Sequence, residues 1–316
     1  MRALVTGGAG FIGSHLVSLL LKQGINVRVL DNFSSGHRAN LPSSHPCLEV
    51  LEGDIRDADK VQQAVQGTDF IFHLAAFISV PKSLETPLTC LDVNVNGTAT
   101  LLEAARRSGV RRVVLASSAA VYGDVAELPL REDTPPRPRS PYATSKLANE
   151  LYADLYTQMG LEVVALRFFN VYGPRQNPNS DYAAAIPRFI SRLLSGDEIV
   201  IFGDGNQTRD LIYVEDVVHA LWLAAERPNV AGRVFNICTG RETRLLDVVE
   251  TLYHLISPQR PPRFAAPRPG DIYRSVGDPR RAAAALGFRA TVSLNEGLRQ
   301  TVEAFRSSLP ASRTSP

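Results

Sequence analysis

Tyr142 and Lys146, in the run Tyr142-Ala143-Thr144-Ser145-Lys146, can make a base if the segment is helical. On a helix the two side chains meet one turn apart on one face. An ammonium beside a phenol favours the phenolate, so the tyrosine works nearer neutral pH than its unperturbed value of about 10. Ser117 and Ser118 come directly after the apolar run Val113 to Ala116 and offer a hydroxyl partner. If the Tyr142 helix lies beside that run, Ser118 and Tyr142 reach one substrate oxygen; otherwise Ser118 caps a turn at the end of a strand.

A second group of residues says what such a base serves. Thr6-Gly7-Gly8-Ala9-Gly10-Phe11-Ile12-Gly13 succeeds a short strand pattern and precedes the helical run Ser14 to Lys22. Gly7, Gly10 and Gly13, with Gly8, fit the dinucleotide fingerprint: a tight turn, close backbone approach to a pyrophosphate, and a helix packed tightly on the sheet with its N-terminus toward the anion. Asp31 ends the second strand pattern, 18 residues beyond Gly13. Its carboxylate suits both ribose hydroxyls and repels a 2′-phosphate, which favours NAD over NADP, with Arg38 close enough to bear on the choice. Asn32 stands beside it. Asp54 and Ile55 end the next strand-like segment and meet an adenine edge, unless Asp54 caps a helix. Lys146 then lies between Tyr142 and the nicotinamide ribose, and the site is one for hydride transfer. The cofactor carries the chemistry while the protein orients, moves a proton and excludes water.

The elements that must hold these residues are legible as patterns. Ala3 to Val5, Val27 to Leu30, Phe70 to Leu74, Val113 to Ala116 and Val163 to Arg167 read as strands separated by amphipathic stretches of helical length. That alternation predicts a doubly wound α/β fold with a parallel sheet covered on both faces. After Asn170 the pattern changes. Pro174, Pro178 and the polar run Gln176 to Asp181 mark a loop, Ile186 to Leu194 reads as a helix, and five prolines from Pro258 to Pro269 rule out a continuous helix there. The expected division is a dinucleotide domain over 1–169 and about 211–238, a smaller α/β substrate region over 170–210 and 239–306, and a frayed tail over 307–316.

The 316 residues are 44% apolar, enough for a full core, and 34 basic residues against 32 acidic give a formal charge of +2. No basic stripe points to nucleic acid or a membrane surface. Cys47, Cys90 and Cys238 lie far apart without metal-ligand spacing, and we read them as buried thiols in a reducing cytoplasm. No basic leader precedes the first strand pattern, and no run of 18 apolar residues occurs, so neither secretion by that route nor a membrane span is expected.

Taken together, these motifs resemble the extended short-chain dehydrogenase/reductases, and among them the nucleotide-sugar 4-epimerases of the UDP-galactose type, over nearly the whole chain. The resemblance implies a Rossmann fold, tightly bound NAD and a UDP-sugar substrate. Tyr142 would be the acid/base, Lys146 would lower its pKa and hold the ribose, and Ser118 would bond the sugar O4. Leu74-Ala75-Ala76 resembles the segment beside the cofactor, and Leu166 to Pro174 the strand and loop that turn toward the sugar nucleotide, with Asn170 on its phosphate or base side. Gly203-Asp204-Gly205-x-Gln207-x-Arg209-Asp210 and Arg268-Pro269-Gly270-Asp271 resemble diphosphate and ribose grips. Guanidinium forks at Arg209 and Arg268 suit phosphate, and the Asp271 carboxylate suits vicinal hydroxyls. Phe202 packs on the uracil or belongs to the core.

The two residues after Ser118 decide the reaction. Dehydratases and UDP-glucuronate decarboxylases of this superfamily carry acidic residues there, and this chain has Ala119 and Ala120. The implied epimerisation takes the O4 proton to Tyr142 and the C4 hydride to NAD, lets the 4-keto sugar swing about its diphosphate, and returns the hydride to the other face. Ser79-Val80-Pro81-Lys82-Ser83 resembles the loop of epimerases acting on N-acetylated hexosamines. Ser275 falls at a gatekeeper position where a small residue leaves room, with Arg274 one position away. The expected substrates are therefore UDP-glucose and UDP-N-acetylglucosamine with their C4 epimers. UDP-glucuronate is the alternative, with Arg274 or Lys82 on its carboxylate. A net NAD(P)H-linked sugar reductase and a non-catalytic dinucleotide sensor are the readings from other classes. The resemblance also implies a homodimer, for which Leu147, Leu151 and Leu155 offer an apolar stripe.

Overall fold

Runs of β-branched and large apolar residues buried on both faces become parallel strands here, because a sheet sandwiched between helices gives neither face to water. The computed structural model describes residues 1–178, 184–258, 260–267 and 272–308. Its first half runs β1 (Arg2–Thr6), α1 (Phe11–Lys22), β2 (Asn26–Asp31), β3 (Leu48–Glu52), α2 (Ala58–Val65), β4 (Phe70–His73), α3 (Val80–Glu85) and α4 (Pro87–Leu91). A π-helical turn at Asp92–Asn96 leads into α5 (Gly97–Arg107), succeeded by β5 (Arg112–Ser118), a 3-10 turn at Ala119–Tyr122, α6 (Pro141–Gln158) and β6 (Glu162–Phe168). All five expected strands are present, and β3 is the strand-like segment expected before Asp54, ending at Glu52.

The second half holds β7 (Asn170–Tyr172), α7 (Ala185–Leu194), β8 (Val200–Phe202), β9 (Thr208–Arg209), β10 (Leu211–Tyr213), α8 (Val214–Glu226) and β11 (Val234–Ile237). It closes with β12 (Thr243–Arg244), α9 (Leu245–Ile256), β13 (Arg263–Ala265), α10 (Arg280–Leu286) and α11 (Leu294–Ser308). The helix thus takes in the first two residues of the expected tail, and 309–316 lie outside the described residues.

The main sheet has the order β3-β2-β1-β4-β5-β6-β11, parallel throughout. Strand order reverses between β1 and β4, so connections leave in opposite directions and open a crevice at their carboxyl ends, where such sheets bind ligands. One face is covered by α1 and α8 through Leu16, Leu20, Val217 and Leu221, the other by α2, α5 and α6 through Val61, Leu101 and Ala153. A third apolar cluster joins α7, α9 and α11 around Phe189, Ile190, Leu252 and Leu298. Small pairs, β7 with β10, β8 with β13 and β9 with β12, belong to the chain's second half. Cys90 and Cys238 are buried free thiols, while Cys47 is only half-buried.

Candidate active site

At the crevice, the chain turns from β1 into α1 through Gly7, whose φ of 68° belongs to the left-handed region. A Cβ on Gly13 would run into the Gly7 carbonyl oxygen, so the helix can start this close to the strand only with glycine there. A Cβ on Gly10 would stand 3.2 Å from the Gly7 carbonyl oxygen and project at the cavity, so glycine there leaves the backbone open to close approach by an anion at the helix N-terminus. Asp31 accepts hydrogen bonds from the Ala9 and Phe33 amides at 2.9 and 2.8 Å, which fixes its carboxylate at the loop and leaves further lone pairs toward the cavity.

A cavity of about 460 Å³ opens beside this loop. Gly7, Gly10, Phe11, Ile12, Gly13, Asp31, Asn32, Asp54, Ile55, Leu74, Ala75, Ala76, Ser118, Tyr142 and Lys146 all line it. Asp54 does not cap a helix, since Asp57 caps α2. Its carboxylate instead takes the Asn32 amide and the Arg56 guanidinium. Arg38 is not among the lining residues: its guanidinium stacks 4.5 Å from the Phe33 ring centre and pairs with Glu52 at 3.4 Å. A 2′-phosphate would meet the Asp31 carboxylate, with Arg38 engaged elsewhere.

Tyr142 and Lys146 stand in the first two turns of α6, started by Pro141 and capped by Ser140, whose side chain accepts from the Ala143 amide. Tyr142 and Ser118 line the same cavity, with the Ser118 hydroxyl close enough to favour the phenolate. Ser118 also accepts from the Ala120 amide at 3.2 Å, so it caps the 3-10 turn and faces the tyrosine at once. Burial pushes the Tyr142 phenol up, with the Ser118 hydroxyl pulling it back in part. The Lys146 ammonium donates to the Ala116 carbonyl at 2.9 Å and sits 5.8 Å from the phenol ring centre. Burial brings Lys146 itself down to about 8.

Asn94 is a residue that the sequence reading missed. The π-helical turn thrusts it inward, where its amide closes on both the N–H and C=O of Phe77 at 2.7 and 3.1 Å and donates to Ser145 at 2.9 Å. It ties the segment after Ala75-Ala76 to the catalytic helix. No spacing in the sequence announces a π turn.

A second cavity of about 430 Å³ shares Val171 and Ala184 with the first. Asn170, Phe202 and Arg209 line it, joined by Arg188, Arg192 and Arg263. Among its described lining residues there are four guanidiniums and no carboxylate. Arg188 and Arg192 stand four apart on α7, a signal available in the sequence and not taken up. Asp210 is fully buried and ties this region together, accepting from Thr239, Gly240 and Gly277. Arg268 and Asp271 lie outside the described residues.

Neither cavity is lined by Ser79, Ser83 or Ser275. Ser79 caps α3 by accepting from the Lys82 amide, and Ser83 is buried, accepting from the Tyr142 amide at 3.3 Å. Arg274 is held by Glu242 through two hydrogen bonds, at 3.0 and 2.5 Å.

A glycine cradle, an Asp-terminated second strand and a Tyr-Lys helix at one sheet edge coincide with a sequence match over residues 3–238 to the model of the NAD dependent epimerase/dehydratase family. The chain belongs to this family. It is 43% identical to the UDP-glucose 4-epimerase of Mycolicibacterium smegmatis, covering 97% of this chain and 99% of that one. The crystal structure of Thermus thermophilus UDP-glucose 4-epimerase in complex with NAD matches with a TM-score of 0.89 at 40% identity, over 98% of this chain and 100% of that chain. The UDP-N-acetylglucosamine 4-epimerase from Methanobrevibacter ruminantium, in complex with UDP-N-acetylmuramic acid, matches with a TM-score of 0.94 at 38% identity, over 98% and 99%. NAD is therefore the cofactor, and the residues present fit it: the cradle closes to any side chain at Gly13, stays open at Gly10, and ends on the Asp31 carboxylate.

Proposed function

We propose that this protein is an isomerase that inverts C4 of a UDP-hexose, with NAD retained, and that it accepts UDP-glucose and UDP-N-acetylglucosamine together with their galacto epimers. The observation that carries this reading is the junction of the two cavities. Ser118 and Tyr142 form a proton-carrying pair at one side, the next positions after Ser118 are Ala119 and Ala120, and at the other the described lining residues include four guanidiniums and no carboxylate. Dehydration or decarboxylation would need a further acid or base beside the hydroxyl pair, and alanine moves no proton.

NAD, when bound, supplies a hydride acceptor that gives the hydride back. The chain's residues do the rest. Tyr142 takes the O4 proton and later returns it, with Ser118 holding the same oxygen. Lys146 holds positive charge beside them. Arg209, with Arg188, Arg192 and Arg263, grips the diphosphate, and Phe202 offers a wall for the base. A firm diphosphate and a loosely held sugar allow the oxidised ring to present its other face. The similarity to a UDP-N-acetylglucosamine 4-epimerase supports the wider sugar range.

We also propose a homodimer, built on the face where Leu84, Leu88, Leu91, Leu151 and Leu155 are exposed. The test of activity is to incubate the purified protein, with no cofactor added, with UDP-glucose, UDP-N-acetylglucosamine and UDP-glucuronate in turn and to resolve the C4 epimers. Interconversion of the first two is expected. Turnover only with stoichiometric NAD(P)H would mark a reductase, and no interconversion of any sugar, with or without NAD, would remove the reading.

A further inference from the structure

Beneath the proton-carrying pair lies a buried ionic cluster that the chemistry does not use. Glu150 and Arg167 are 7% and 4% exposed and pair through two hydrogen bonds at 2.9 and 2.7 Å. Ser117, itself buried, donates its hydroxyl to the same Glu150 carboxylate at 2.5 Å. The Arg167 guanidinium also donates to the Glu132 carbonyl at 3.3 Å and lies 4.7 Å from the Tyr122 ring centre. Tyr122 in turn donates to Asn236 at 2.6 Å.

Three elements meet in this cluster: Ser117 from the end of β5, Glu150 from α6, and Arg167 from β6. Glu150 stands one helical turn past Lys146 and two past Tyr142, and Ser117 directly precedes Ser118 in the chain. Stability alone is a weak reason for such an arrangement, because burying two charges costs desolvation that the pairing often only offsets, and well-packed apolar residues commonly do as well. What charges and hydroxyls provide and apolar contacts do not is direction. A helix packed on a sheet by leucines can slide or roll by fractions of an ångström, whereas a carboxylate bonded to a guanidinium on one strand and a hydroxyl on the next fixes both its height and its rotation. The other polar tie between α6 and β5 near the cavity is Lys146 to the Ala116 carbonyl, made by a group the reaction itself engages.

We infer that Glu150, held by Ser117 and Arg167, is a positioning residue that sets the Tyr142 hydroxyl against Ser118. Glu150 and Arg167, which line neither cavity, clamp the reacting end of α6 to β5 through Ser117 at the cavity's edge. This rests on the reading of Tyr142 as the proton carrier.

The test uses the NAD-containing protein and two variants. Ser117→Ala removes only the hydroxyl, and Glu150→Met with Arg167→Met removes both charges so that neither is left buried alone. The first readout needs no sugar. Ionisation of the Tyr142 phenol is tracked by tyrosinate absorbance as the difference between each protein and its Tyr142→Phe counterpart. The titratable groups facing the phenol are Lys146 and Cys90, with His73 behind Lys146, and all three stay in place. Since the Ser118 hydroxyl favours the phenolate, a loosened clamp moves the titration to higher pH. We expect an upward move of roughly half a unit to one unit in both variants, which is threefold to tenfold in ionisation constant. Turnover should fall about 10- to 100-fold while KM stays within threefold, NAD content is unchanged, and Ser117→Thr restores the titration. A phenol titrating as in the unaltered protein in a folded variant overturns the inference, whether or not turnover falls. Loss of NAD in proportion to loss of turnover overturns it too, by showing general collapse of the site. Should no UDP-sugar be turned over by the unaltered protein, the phenol titration still decides.

Discussion

Lys146 is held in a place where its charge is costly. A buried ammonium brought down to about 8 is disfavoured in the folded chain relative to the unfolded one, where lysine keeps a value near 10.4. Between those values the unfolded chain binds more protons, so the lysine's penalty is full below pH 8 and vanishes as pH rises past 10. Lys146→Met should therefore stabilise the cofactor-stripped protein at pH 7 by up to about 3 kcal/mol while removing most turnover. Urea unfolding at pH 7 and pH 10 checks this, and a less stable variant at pH 7 would refute it. Tyr142→Phe should lower turnover about 10²- to 10⁴-fold with NAD still bound, read from the absorbance of released cofactor. Tyrosine and lysine were legible because chemistry of this kind uses few residue types at fixed helical spacing. The direction of the tyrosine's shift was not, because spacing says that Lys146 is near and not how deeply the phenol is buried. Asn94 was invisible for a related reason: its reach to Phe77 and Ser145 depends on a π turn.

Among the elements, the sheet and its helices were readable wherever an apolar run of four or more residues met a helical period. β7 to β10, β12 and β13 are two or three residues long, too short to show alternation, and they exist only because partners far along the chain pair with them. That is why Arg263 on β13 escaped notice, whereas Arg188 and Arg192 on α7 stood at a helical spacing that was available in the sequence. The same limit applied to the stripe on α6. Leu147 packs inward beside Val121 and Tyr122, whereas Leu151 is 67% and Leu155 47% exposed, and the adjoining Leu88 of α4 is 79% exposed. Such a patch on helices packed together is what a second copy would cover. Leu88→Arg with Leu151→Arg should reduce the sedimenting mass from twice 34.5 kDa to 34.5 kDa at micromolar concentration, with the far-ultraviolet circular dichroism unchanged. A mass of 34.5 kDa for the unaltered protein would end the dimer proposal.

For the whole molecule, acid stability depends on two histidines held neutral at the seams between elements. His73 ends β4 and bonds Thr6 of β1 and Thr98 of α5 at 2.7 and 2.9 Å; His15 reaches from α1 to the Pro174 carbonyl at 3.0 Å. Burial takes His73 from 6.5 to about 3 and His15 from 6.5 to about 4. A lowered histidine value means that the unfolded chain binds the proton first. The stability each contributes is complete above pH 6.5 and is lost as pH falls toward its folded value, at about 1.4 kcal/mol per pH unit. Two such groups give a slope of about 2.7 kcal/mol per unit near pH 5, above the range where ion-paired carboxylates titrate. Asp210, whose carboxyl burial pushes up, acts in the opposite sense but is one group against two. Since His73 sits inside the parallel sheet and His15 joins that sheet's first helix to the loop after β7, whose Arg175, Gln176 and Asn177 line the first cavity, protonating either opens a seam beside that cavity. Urea unfolding at pH 7 and pH 5 should therefore show a single transition that loses about 3–4 kcal/mol across the interval. His73→Gln, whose amide can still bridge the two threonines, should roughly halve that loss; an unchanged loss would mean that the proton goes elsewhere.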